Sequence, residues 1–176
     1  MRSQTRIINN CTGLLDQAIE LLGRIDDAVF VATSPLSPRG SIGGHLRHIV
    51  DSYQCFLTGV DKGRIEYYLR QRDVAIERNR VLAIVRMDET IDDLRAVSVI
   101  DGDRSLLVST EDASLSNPDW SISSVLRELD YLQNHTVHHY ALIAMLLRLH
   151  EIDPGPEFGV APSTLKYWIE QGARAA

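Results

Sequence analysis

An all-α fold, a helix bundle carrying one small β-hairpin, is what this sequence predicts. Three observations lead there. Four stretches place Leu, Ile and Val at helical spacing, over residues 5–31, 41–58, 79–97 and a last run centred on 129–149. No Gly or Pro interrupts the chain from Asp119 to Asp153, so that last run can form one long helix. Only around Asp101-Gly102 does the pattern turn β-prone on both sides, which predicts a hairpin near Ile100 to Val108 and no parallel sheet. With 176 residues, the chain is read as a single domain, 1–176, large enough for a full core.

In the first stretch Ile7, Ile8, Leu14, Leu15, Ala18, Ile19, Leu22 and Ile25 make one apolar stripe. The stripe is wide for a single interface, and this predicts a homodimer formed through helix faces. Residues 33–40, with Pro35, Pro38 and Gly40, read as a loop. Ser41 is an N-cap for the second helix, which carries His45 and His48 among Ile42, Leu46, Ile49, Tyr53 and Phe56. Residues 64–80 are charged and irregular, and read as a solvated connector with weak local pairs such as Glu66 with Arg70. The other reading of that segment is that Arg70 and Arg72 overhang a cleft and bind an anionic substrate group. Asn117-Pro118-Asp119 reads as a turn, with Ser121 or Asp119 capping the fourth helix. Asp153-Pro-Gly-Pro ends that helix, and a short helix opens at Ser163.

Composition narrows the function. Hydrophobic residues at 44% and charged residues at 24% are ordinary for a globular protein. A net charge of -6 argues against a nucleic-acid surface. No run reaches membrane-spanning length and no signal-peptide pattern opens the chain, and with only two cysteines a cytoplasmic protein is expected. The two cysteines, Cys11 and Cys55, are too few for a disulfide framework and read as small buried hydrophobes.

The fourth helix carries the chemistry. It holds His135, His138 and His139, three of the six histidines, inside an apolar pattern. A helix advances about 100° per residue, so His135 and His139 lie about 40° apart on the face shared by Leu142 and Leu146. His138 falls towards the edge of that face. Burying two imidazoles costs desolvation unless their nitrogens find partners, and a divalent metal is one such partner. A pair of satisfied core histidines is the other. A third ligand has to come from the second helix, as His45 or His48, because His150 lies roughly 16–23 Å further along the axis.

The segment Ser41-Ile-Gly-Gly-His-Leu-Arg-His-Ile-Val-Asp-Ser52 and the motif His135-Thr-Val-His-His139 together resemble the DinB-like, or YfiT-like, metal-binding superfamily. The resemblance spans nearly the whole chain. It implies an up-down-down-up four-helix bundle, often dimeric. It also implies a divalent metal, zinc or nickel, held by His48, His135 and His139, with His45 beside it or at the entrance. The helical wheel places His45 nearer the apolar centre of its helix, whereas the motif selects His48. Two functional classes follow from the resemblance. One is a metal-dependent enzyme, a thiol S-transferase or hydrolase acting on a small molecule with a low-molecular-weight thiol as co-substrate. The other is a non-catalytic metal- or small-molecule-binding protein of the stress-response kind. Asp51, Tyr53 and Glu128 are the residues within reach of a general-base role.

Overall fold

The computed structural model describes residues 4–34, 40–110 and 119–172. Seven α-helices and a three-stranded sheet are formed among them. The long helices are α1 (Gln4–Leu22), α3 (Ile42–Val60), α5 (Arg80–Ala96) and α6 (Val125–Leu149). The short ones are α2 (Asp27–Val31), α4 (Val74–Arg78) and α7 (Pro162–Glu170). Both α1 and α3 pack against α5 and α6, so the four long helices enclose one core. None of the helices is long and apolar enough to cross a membrane.

The expected first helix is in fact two. Gly23 and Arg24 close tight turns onto the Ile19 and Leu21 carbonyls, and the Asp26 carboxylate accepts from Val29 N at 2.8 Å to start α2 afresh. Arg80, at the head of α5, clamps the corner by donating to Leu22 O and to Asp27, each at 2.7 Å. The wide stripe of α1 is consumed within the chain: Ile7, Leu15, Ala18 and Leu22 are all buried, shared between α5 and α6. Polar anchors fix the packing. Asn10 Nδ2 donates to Gln133 at 2.8 Å, Gln4 to Ile100 O at 2.6 Å, and Tyr140 Oη to Leu14 O at 2.5 Å.

Ser41 caps α3 as expected, accepting from Gly44 N at 2.9 Å, and Asn79 caps α5 by accepting from Leu82 N at 3.0 Å. The connector is more ordered than its sequence suggests. It contains β1 (Arg64–Glu66), a turn of 3₁₀ helix (Tyr67–Leu69) and α4. Glu66 pairs with Arg64 at 3.3 Å, not with Arg70.

The expected hairpin around Asp101-Gly102 does not form. Residues Val97–Val99 make a 3₁₀ turn, and Asp101 bonds forward to Asp103 N and Arg104 N. Gly102 O accepts from Leu126 N at 2.9 Å, and a Cβ on Gly102 would meet Leu126 Cγ at 2.7 Å. The Asp-Gly turn is therefore spent on docking against the start of α6. The strand that follows, β2 (Ser105–Ser109), pairs in parallel with β1 and antiparallel with β3 (Ser121–Ser124). The expectation of no parallel pairing is thus corrected: β1 arrives from the α3 exit and lies alongside β2 in the same direction. Because Ser121 belongs to β3, Ser124 caps α6 instead of Ser121 or Asp119, its hydroxyl accepting from Arg127 N at 3.3 Å. The loop at Pro35 and Pro38 and the turn at Asn117-Pro118 lie outside the described residues.

Candidate metal centre

Helices α3 and α6 face each other with histidines at matching heights. A spacing of three puts His45 and His48 on one side of α3, and a spacing of four does the same for His135 and His139 on α6. One bond pins the register of the two helices: Thr136, next to His135, donates to Leu132 O at 2.8 Å and lies 3.2 Å from the buried Tyr53 hydroxyl, from which it can accept. Gly43 lets the head of α3 come close to its neighbours, since a Cβ there would lie 2.2 Å from Glu77 O and 2.8 Å from the Phe30 ring.

The result is a cluster of four half-buried imidazoles. Nε2 of His135 lies 3.1 Å from Nε2 of His48 and 3.2 Å from Nε2 of His139. One ligand atom from each of these three residues falls within 4.8 Å of the others. His45 takes the remaining side of His139, with the two Nδ1 atoms 2.9 Å apart. His138 is exposed, its ring centroid 5.3 Å from that of His139. Helical position therefore assigns His138 to the edge, as expected, and the geometry places His48 rather than His45 at the centre.

This donor set fits a divalent metal. Ligands about 2.0–2.1 Å from a tetrahedral centre stand about 3.3–3.4 Å apart, close to the spacings here. Hydrogen bonding alone serves the cluster poorly, because a neutral imidazole nitrogen either donates or accepts and Nε2 of His135 has two Nε2 neighbours. With all three Nε2 atoms turned to a cation, each Nδ1 carries the proton. His139 Nδ1–H can then donate to His45, which fixes the ring of His139 from outside the centre. His45→Ala is accordingly expected to weaken zinc binding about 10–100-fold without abolishing it, as measured by competition with a chromogenic chelator.

No family model matches the chain, and no solved structure matches it. The chain is similar to FK506-binding protein 5 of Rhizopus delemar. The two are 30% identical over 170 residues, a match that covers 93% of this chain. The chain spans 38% of the length of that relative.

Burial first, and the neighbouring imidazoles and Arg70 second, push His48 down to about 4. Burial and the surrounding histidines push His139 down to about 3. His45 and His135 are lowered for the same leading reason. All four rings of the cluster are thus neutral at pH 7, with lone pairs open to a cation. The unfolded chain takes up protons near 6.5, whereas the folded cluster resists them until about 4 for His48 and 3 for His139. Stability of the metal-free protein is therefore full above pH 6.5 and falls as the pH drops below it. The urea midpoint should fall between pH 7.5 and pH 5, and a flat midpoint would show that the rings are not held in a buried cluster.

Around the cluster, Tyr131 stacks on His135 with centroids 5.5 Å apart, and Tyr67 lies 5.3 Å from Tyr131. Tyr67 donates to buried Glu128 at 2.8 Å, and Ser123 donates to its other oxygen at 2.5 Å. Tyr131 escaped the sequence reading, although its position one helical turn before His135 was the available signal. The residues considered for a general-base role are engaged elsewhere: Asp51 accepts from Arg47 at 3.2 Å, Tyr53 is hydrogen-bonded to Thr136, and Glu128 accepts from Tyr67.

The two arginines of the connector separate. Arg72 is exposed, with φ 55 and its guanidinium 5.3 Å from the Tyr68 ring centroid. Arg70 turns inward and donates from Nη1 to Tyr67 O at 2.9 Å. It lines a cavity of about 740 Å³ bounded by α3, the connector and α5, with Asp51, Cys55 and Ile76 also on its wall. None of the four clustered histidines lines that cavity.

Proposed function

We propose that this chain is a DinB-like divalent-metal protein with His48, His135 and His139 as ligands, and that the centre serves a metal-dependent enzyme acting on a small molecule. The convergence of three neutral Nε2 atoms from two facing helices carries this reading. The packing of both α1 and α3 on α5 and α6 supports the up-down-down-up arrangement, because in a simple up-and-down bundle α1 would neighbour α3.

A zinc or nickel ion held by three neutral ligands keeps its full charge and lowers the pKa of a bound thiol or water. The residues of this chain do the rest. His45 orients His139, Tyr131 covers one face of His135, and the positive charge of Arg70 acts on His48 and His135 and favours an anionic fourth partner. The chain's own thiols are poor nucleophiles: burial pushes Cys55 up to about 11 and Cys11 up to about 12. A reacting thiol is thus expected to come from a low-molecular-weight co-substrate, as in a thiol S-transferase. A hydrolase would draw its nucleophile from water instead.

Non-catalytic metal binding is the second reading, favoured by the engagement of Asp51, Tyr53 and Glu128 in other hydrogen bonds. Purified protein loaded with zinc or nickel and screened with small thiols against a chromogenic electrophile separates the two. Turnover that requires metal and disappears in His48→Ala supports the enzyme. One bound metal per chain without turnover of thiols or of ester and amide substrates supports the binding role. The proposed homodimer rests on the resemblance, since the α1 stripe is used internally, and sedimentation giving only monomer mass would remove it.

A further inference from the structure

Arg70 belongs to two neighbourhoods at once. Its charge acts on His48 and His135, and its side chain lines the 740 Å³ cavity. That volume lies within the range of roughly 300–1,000 Å³ typical of sites for small organic molecules. Three arginines line the wall. Arg64 is paired with Glu66 and Arg86 with Glu89, whereas Arg70 makes no ion pair within 4 Å among the described residues, its charge reaching Asp51 of the same wall, where Asp73 and Asp93 also lie. Asp51, the buried carboxylate of the same wall, is bonded by Arg47.

Arg70 is also incompletely satisfied. Nη1 is anchored by the Tyr67 carbonyl, and the buried Nε has no acceptor among the described residues. A buried donor without an acceptor is costly, and an arriving acceptor removes that cost. The Nε and Nη2 edge of a guanidinium is shaped to give two parallel hydrogen bonds to one carboxylate. Anchoring Nη1 fixes the plane in which that edge lies, so little side-chain entropy remains to be lost on binding.

We infer that the cavity is a binding site for a small organic carboxylate held by Nε and Nη2 of Arg70. Val50, Leu69 and Ile76 on the wall suit the apolar body of such a molecule. As the substrate pocket of the proposed metal centre, the site rests on that reading. As an anion site, it requires no metal.

The test uses benzoate as probe and its uncharged isostere benzamide as control, titrated into the ¹⁵N-labelled full chain and followed by NMR. Metal content is measured in parallel. Benzoate should perturb the amides around Arg70 and Ile76, and should bind at least tenfold more weakly to Arg70→Gln, whose metal content stays unchanged. Arg70→Lys keeps the charge but not the two-pronged edge, and should lose at least threefold, which preserves the test if the Gln variant fails to fold. Arg72→Gln should bind as the unaltered chain does. His135→Ala, which removes a proposed metal ligand, should retain benzoate affinity within about threefold. Unchanged affinity in both Arg70 variants, or benzamide binding as tightly as benzoate, would overturn the inference. So would loss of benzoate binding in His135→Ala, because the anion would then sit on the metal. Absence of metal with benzoate binding intact would remove the metal reading and leave this site standing.

Discussion

His135→Ala is expected to remove essentially all bound metal, with zinc affinity falling more than about 100-fold, beyond the 10–100-fold typical of an outer partner. His135 is the hinge of the cluster, because its Nε2 is the atom close to both His48 and His139. His48→Ala and His139→Ala should each act in the same direction, while His138→Ala should leave the metal in place, its ring being exposed at the edge. Metal analysis after dialysis against a weak chelator checks all four. Wild-type metal content in His135→Ala would mean that these rings are core histidines satisfied by one another, and the enzymatic reading would go with it.

Gly43→Val is expected to cost about 3 kcal/mol or more, which for a domain of this size lowers Tm by about 6–12 °C. A Cβ at Gly43 would stand 2.2 Å from Glu77 O and within 3 Å of two atoms of the Phe30 ring. The first of these is backbone of α4 and the second belongs to a fully buried side chain, so neither can step aside without moving its helix. The damage should spread to the site, because His45 and His48 follow on the next turns of α3. Gly13→Ala is the contrasting control. Gly13 is exposed in the interior of α1 with nothing within 4 Å of the added methyl, and the change should stabilise by about 0.5–1 kcal/mol. Thermal unfolding of the two variants side by side checks the pair. A wild-type Tm in Gly43→Val would mean that the head of α3 does not pack as closely as these distances require.

The sequence by itself determined that four long helices form, the Ser41 cap, and the face on which the α6 histidines lie. Apolar residues at helical spacing, with Ser41 ahead of the second run, leave the chain little alternative locally, and His135 and His139 at a spacing of four must share a side. Tertiary structure decided which α3 histidine faces them. A helical wheel ranks His45 and His48 by the apolar residues on their own helix, but the inward direction is set by where α6 lies, and that depends on the Tyr53–Thr136 bond and the close approach at Gly43. The same reason explains the hairpin. Asp101-Gly102 is a turn on any reading, yet whether it joins two strands or docks on Leu126 depends on β1 and β3, both distant in sequence, being available to pair with β2. Arg70 and Arg72 are alike to composition and stand two residues apart. One faces a cavity and the other solvent because the backbone turns at Arg72, φ 55, a conformation set by how the connector closes over α3 and invisible in the order of the residues.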